Sequence, residues 1–350
     1  MNFIYQSFAN KIYFGHGQLK KLSSIVNESG GTRLFAISTN RTKAIVDELI
    51  KSFGPDHVSH FSKVVQHVPK MVVDEAIAIA KENRSNIIIA IGGGSAIGLA
   101  KGMALETHLP ILAIPTTYAG SEMTHVYGIS SGSVKTVGRD LSVLPQTVIY
   151  DPSLTAQMPV ALAATSSMNA MAHLIEALYA HDGNPITYQT SLMGIRFLKE
   201  GMEQLITERS LENANANLQF GAYLAGKALC EVTMSLHHKA AHVLGGSFGM
   251  EHGEVHTVLL PYVLEYQMPG IAKTVISDLQ KIFNDPHPSL KLRTFAGQMG
   301  SSTTLKAIDF QEQLIPEAAH LIVAKPFPNP VEITEKGIEA LLMRAYQGEL

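Results

Sequence analysis

Cysteine is nearly absent and tryptophan wholly so: the chain of 350 residues holds one Cys, Cys230, and no Trp. A single thiol cannot close an internal disulfide or build a cysteine-based zinc site, and it suits a reducing compartment, so the expected location is cytoplasmic. Charge is sparse too. Only 16% of residues are charged, 27 Lys+Arg stand against 30 Asp+Glu for a net charge of −3, and 46% are hydrophobic. That balance excludes a nucleic-acid binder, which needs a basic excess, and an unfolded chain, which has too little to bury. Long apolar runs are missing as well. The longest uncharged stretch of the first third, 85–100, is interrupted by Gly92, Gly93 and Gly94, whereas a membrane helix needs about 20 continuous apolar residues. Nor has MNFIYQSFANKIYFGHG the basic start and apolar centre of an export signal; its alternation predicts an edge strand.

The length suits two domains at about 150 residues each. From about residue 30 to 150, β-branched runs (RLFAIS at 33–38, NIIIAI at 86–91, PILAIP at 110–115, TVIYD at 147–151) alternate with amphipathic stretches at 42–53 and 71–83. Strands that are nearly all apolar belong in a parallel sheet covered on both faces, so this half reads as α/β. After Asp151-Pro152 the β-branched runs give way to Ala, Leu and Met at helical spacing, which predicts an α/β domain at 1–155 and an all-helical one at 156–350. Asp285-Pro286-His287-Pro288 and Phe327-Pro328-Asn329-Pro330 mark loops inside the helical half.

Three motifs could carry chemistry. Gly92-Gly93-Gly94-Ser95 follows a strong strand and opens a helical pattern; bare backbone N–H groups and a helix N-terminus there suit a diphosphate, and the alternative is an ordinary tight turn. Pro115-Thr116-Thr117-Tyr118-Ala119-Gly120-Ser121-Glu122 also follows a strand, where open α/β sheets bind ligands, though Thr and Ser serve equally as helix caps. The third is a histidine cluster: His237, His238, His242, His252 and His256 fall within twenty residues, where average usage would place about one. His238 and His242, like Asn169 and His173, are four apart, so each pair projects from one helix face; such a constellation points to a metal site or to proton transfer.

The stretches IGGGSAIGLAK, PTTYAGSEMT, VIYDPSLT, MNAMAHLIEALYA and HHKAAHVLGGSFGMEHGEVHTVLLP resemble the iron-containing alcohol dehydrogenase superfamily, and within it the maleylacetate reductases. The resemblance implies the dehydroquinate synthase-like fold: an N-terminal dinucleotide-binding α/β domain, an all-α C-terminal domain and an active site between them. It implies that Gly93, Gly94 and Ser95 hold the cofactor diphosphate and that Thr116, Thr117 and Ser121 line the path to the nicotinamide. Metal-dependent relatives hold iron or zinc with one aspartate and three histidines; those places fall on Asn169, His173, His238 and His252, with His242 near the reacting centre. An amide is a poor ligand for a divalent ion, so the expectation is an enzyme with no metal.

The implied reaction is reduction of the carbon–carbon double bond of maleylacetate to 3-oxoadipate by NADH or NADPH. Charge developing on the ketone oxygen needs a proton donor, and His242 or His252 is the candidate. Lys135 and Arg139 are candidates for the substrate carboxylates, with Asn169 beside them in the substrate site. Ser38 and Asn40 follow an early strand at the place where NAD-specific folds carry an acid; no acid is present at 38–41, which predicts use of both cofactors. A homodimer is expected, because the strand-like N-terminus could pair across a two-fold axis. The competing readings are a metal-dependent alcohol or polyol dehydrogenase of the same superfamily, a dehydroquinate-synthase-like lyase, and a silent nucleotide-binding protein.

Overall fold

The computed structural model describes residues 2–132, 134–156 and 158–350, with backbone alone at 134 and 135. The chain divides into two compact units, Ser7–Gln157 and Met158–Leu350, the second of which also takes Met1–Gln6.

Among the described residues eight strands lie in the first unit: β1 (Lys11–Phe14), β2 (Leu34–Ile37), β3 (Val58–Phe61), β4 (Ile87–Gly92), β5 (Ile111–Pro115), β6 (Val126–Ser131), β7 (Val134–Arg139) and β8 (Thr147–Tyr150). Six of them form one wholly parallel sheet in the order β1-β8-β5-β4-β2-β3, and β6 and β7 pair as an antiparallel hairpin. Helices α1 (Leu22–Glu28), α2 (Lys43–Phe53), α3 (Lys70–Glu82) and α4 (Gly94–Thr107) belong to this unit. Because successive strand residues face opposite ways, one apolar run supplies two cores. Ile88 and Ala90 pack with Val73, Ala76, Ile97 and Ala100 of α3 and α4. Ile87, Ile89 and Ile91 pack with Ile25, Val46 and Leu49 of α1 and α2. The covered parallel sheet expected from composition is therefore what forms.

The expected N-terminal strand is shorter than its alternation suggests. Residues 2–10 carry no regular structure, and only Lys11–Phe14 pair, parallel to β8 at the sheet edge. Alternation needs a neighbouring strand to become a ladder, and Phe3 and Ile4 have no buried face to fill: they stay 46% and 96% exposed. β3 and the β6–β7 hairpin escaped the sequence reading because VSHF and VYGISS are short and rich in polar or small residues.

The second unit contains α5 (Val160–Leu178), α6 (Pro185–Glu208), α7 (Leu211–Glu231), α8 (Leu236–Phe248), α9 (His252–Gln267), α10 (Lys273–Phe283), α11 (Pro288–Gln298), α12 (Ile315–Val323) and α13 (Glu335–Gln347), with no strand among the described residues. The two proline-rich loops fall between α10 and α11 and between α12 and α13. α6 and α7 approach closely where glycine faces leucine: Gly201 lies under Leu218 and Gly221 under Leu198, so that a Cβ at Gly221 would stand 2.6 Å from Leu198 Cγ. Among the described residues no helix is long and apolar enough to cross a membrane.

Candidate active site

In the first unit the two loop motifs meet because their strands are neighbours: Gly92 is in register with Pro115, and the Thr116 N–H donates to the Gly92 carbonyl at 3.1 Å. Gly92 has φ 153°, a left-handed region where a side chain strains the backbone, and α4 begins two residues later. A Cβ at Gly93 would sit 3.0 Å from Thr117 Cγ2, so the second loop leans on bare backbone of the first. Ser95, Thr116, Thr117 and Ser121 are half-buried around this turn and Gly94 is exposed. That is the arrangement an anionic diphosphate requires: open N–H groups at the positive end of a helix.

Two buried residues that the sequence reading passed over hold the second loop in place. Lys101, on α4, donates from Nζ to the Ser121 carbonyl at 2.6 Å, to Thr124 Oγ1 at 2.8 Å and to the Val126 carbonyl at 2.9 Å. Glu122 accepts from the Tyr150 hydroxyl at 2.7 Å, and burial pushes its carboxyl above the ordinary range. Lys101 could have been noticed as the one charge in an otherwise neutral run from 85 to 105.

The remaining first-unit candidates are dispersed. Ser38 is fully buried with its hydroxyl 2.8 Å from His60 Nε2, while Asn40 is exposed and lines a surface hollow with Thr39, Arg41 and Ser62. Arg139 is exposed on β7, in register with Val126. Lys135 pairs its backbone with Ser130 in the same hairpin, and its side chain lies outside the described residues.

In the second unit the histidines form one continuous group. α5 contributes Asn169 and His173, α8 contributes His237, His238 and His242, and α9 contributes His252 and His256. His173 and His238 are stacked with ring centres 4.6 Å apart; His242 lies 6.2 Å from His238 and 6.3 Å from His252; His252 lies 4.3 Å from His256. His237 Nε2 and His256 Nδ1 are hydrogen-bonded at 2.8 Å. His173 thus meets the His238–His242 pair, and α9 joins them.

Burial separates these rings into two kinds. His242 and His252 are exposed, whereas His173, His237, His238 and His256 are buried. Burial first, then neighbouring imidazoles, pull His173, His238 and His256 well below the ordinary imidazole value and His237 down to about 3. Four neutral rings therefore stand beside two that are exposed. Behind His238 lies Glu176, fully buried, with Oε2 2.5 Å from His238 Nδ1. The sequence reading missed it. Its signal was available: Glu176 is the only charged residue of α5 and stands three positions after His173.

Residues 9–152 match the iron-containing alcohol dehydrogenase family, and 163–346 match the C-terminal part of the Fe-containing alcohol dehydrogenase family. A maleylacetate reductase of Sphingobium indicum is 38% identical over 99% of this chain and 98% of its own length. One from Delftia acidovorans is 38% identical over 100% and 99%. The crystal structure of maleylacetate reductase from Rhizobium sp. superposes with a TM-score of 0.94 at 35% identity, covering 99% of each chain. An iron-containing alcohol dehydrogenase from Corynebacterium glutamicum gives 0.93 at 33% identity, over 100% of this chain and 98% of that one.

These matches correct one expectation. The family is described by its iron, so the reading that no metal is needed does not stand. At the family's four metal places, Asn169 Oδ1, His173 Nδ1 and His238 Nε2 are buried without a hydrogen-bond partner, as befits atoms with an electron pair to give. Yet no three His, Cys, Asp or Glu side chains among the described residues are grouped to hold an ion, and Asn169 adds no charge to help them. The donor set as it stands does not complete a cage for iron. Matched in both halves and along its whole length, the chain belongs to the iron-containing alcohol dehydrogenase family.

Proposed function

We propose that the protein is an oxidoreductase that reduces the carbon–carbon double bond of maleylacetate to give 3-oxoadipate, with NADH or NADPH as hydride donor. The observation that carries this is the end-to-end similarity, at 33–38% identity, to relatives named maleylacetate reductase. The histidine group supplies chemistry to match.

The glycine turn at 92–94 with Ser95, Thr116, Thr117 and Ser121 binds the dinucleotide through backbone N–H groups, hydroxyls and the α4 N-terminus. Either cofactor is accepted, because the residues after β2 are Ser38, Thr39, Asn40 and Arg41, with no carboxylate to repel a 2′-phosphate. Hydride adds to the alkene carbon conjugated through the double bond to the ketone. The electron pair moves to the ketone oxygen as an enolate, and a protonated imidazole, His242 or His252, supplies the proton that completes C–H addition. His173 and His238 are neutral walls of the same site, and Asn169 offers a polar contact to substrate. Lys135 and Arg139 balance its two carboxylates. The protein works in the cytosol as a homodimer, consistent with one buried thiol and with β1 ending the sheet.

The test is loss of nicotinamide absorbance on adding freshly prepared maleylacetate, with the product identified. Stoichiometric formation of 3-oxoadipate is expected with both NADH and NADPH. No turnover of maleylacetate, together with NAD-linked oxidation of simple alcohols, would overturn the reading in favour of an alcohol dehydrogenase.

A further inference from the structure

Glu176 uses both carboxylate oxygens on groups that can only donate. Oε1 accepts from the His237 N–H at 2.8 Å, and Oε2 accepts from the Ser235 N–H at 3.1 Å. These N–H groups open α8 (Leu236–Phe248), whose positive end also favours an anion at this place. The third neighbour is His238 Nδ1, 2.5 Å from Oε2. An oxygen already taking a backbone N–H, at the end of a helix that favours negative charge, is an acceptor. The hydrogen between Glu176 and His238 therefore resides on Nδ1.

The loop with two prolines, which the fold otherwise uses only as a connection, holds this arrangement. The Ser235 hydroxyl lies 2.6 Å from Asn329 Oδ1 and 3.0 Å from the Pro328 carbonyl. Asn329 Nδ2 donates to Gln267 Oε1 at 2.9 Å and to the Val331 carbonyl at 2.7 Å, and Gln267 Nε2 donates to Asn329 Oδ1. Gln267 is fully buried. The turn that presents two N–H groups to Glu176 is thus tied at its start to the end of α9 and to a loop stiffened by Pro328 and Pro330.

We propose that Glu176 is a positioning residue for the reaction: it fixes His238 as the Nδ1–H tautomer and sets its ring plane, so that His238 offers the site an electron pair and not a proton. The opposite nitrogen agrees with this role, since His238 Nε2 is buried without a hydrogen-bond partner while its ring is stacked on His173. The acid of the reaction is then one of the two exposed rings, and His238 is excluded from that task. The assignment rests on the histidine group being the reaction site, but its first readout does not depend on activity.

That readout is the tautomer of His238 by nitrogen-15 NMR of histidine-labelled enzyme, assigned by the resonance lost in His238→Gln. The wild type is expected to show Nδ1–H; an Nε2–H wild type overturns the proposal whatever any variant does. In Glu176→Ala, checked for a native circular dichroism spectrum, His238 is expected to move to Nε2–H. There kcat is expected to fall about tenfold or more, as loss of an orienting carboxylate typically does, with KM for maleylacetate and NADH affinity within about twofold, and Glu176→Asp should restore part of both the tautomer and kcat. A folded Glu176→Ala that keeps Nδ1–H, or keeps wild-type kcat, overturns the positioning role. Should maleylacetate not be a substrate at all, the proposed activity fails while the tautomer measurement still decides what Glu176 does.

Discussion

At the scale of single residues, burial assigns work to the histidines more firmly than their spacing does. His238 and His242 are one helical turn apart, yet one is buried among imidazoles and the other is exposed. A buried ring cannot take up a proton cheaply, which is why the proposed proton donor is His242 or His252. Glutamine at the donor position is expected to lower kcat by about 10²–10⁴-fold, the ordinary worth of a general acid; steady-state turnover of both variants at the wild-type rate would place the acid elsewhere. Asn169 yields a second prediction. Replacing a neutral amide by a carboxylate adds a charge-assisted contact worth about 1.5–3 kcal/mol. Asn169→Asp should therefore raise affinity for iron(II) by about tenfold or more, measured as iron retained after dialysis, and equal retention by both proteins would show that position 169 does not face the ion. Spacing alone made Asn169, His173 and the five clustered histidines legible, because all lie on helices whose period is known. Glu176 stayed hidden because its partners are 59 to 62 residues away along the chain, a distance no local pattern spans.

At the scale of elements, strands that bury both faces announce themselves and strands that do not are lost among loops. NIIIAI had to be a central strand, and its alternate residues do feed two different cores. In the β6–β7 hairpin, β6 is only half-buried and carries Gly and Ser, with nothing in composition to separate it from connecting chain. Glycines inside α6 and α7 are equally silent in sequence, where they read only as weak helix formers. In the fold they are contact points: a Cβ at Gly221 would meet Leu198 Cγ at 2.6 Å and the Gly194 carbonyl at 3.1 Å. Two effects then oppose each other in Gly221→Ala. Helix propensity favours alanine by about 1 kcal/mol, while overpacking costs about 1–3 kcal/mol, and the backbone oxygen cannot swing aside. The clash should win, giving a net loss of roughly 1 kcal/mol in urea unfolding. Gly246→Ala is the control, since a Cβ there meets nothing within 4 Å; destabilisation of the same size at both sites would mean that α6–α7 packing is not the cause.

At the scale of the whole molecule, concentrating neutral histidines in one place makes stability depend on acidity. In an unfolded chain imidazole takes up a proton near pH 6.5. In the fold His237 resists protonation down to about 3, and His173, His238 and His256 are lowered in the same direction. Between those limits the unfolded state binds more protons than the folded one, so stability rises with pH through that window. Their full contribution is present above about pH 6.5 and drains away as pH falls toward 3. Glu176, which burial shifts upward, works the other way: its contribution is lost as pH rises, but it is one group against four. At pH 5 a ring lowered as far as His237 costs about 2 kcal/mol, a sizeable share of the 5–15 kcal/mol that holds an ordinary domain, and the other three rings push in the same direction. Calorimetric scans are therefore expected to show Tm falling steeply between pH 7 and pH 5, and His237→Gln, which removes one such group while keeping a polar side chain, should flatten the slope. A Tm unchanged across that interval would mean that the buried rings take up protons as readily in the folded protein as in the unfolded chain, and with that the division of labour between buried and exposed histidines would fail as well.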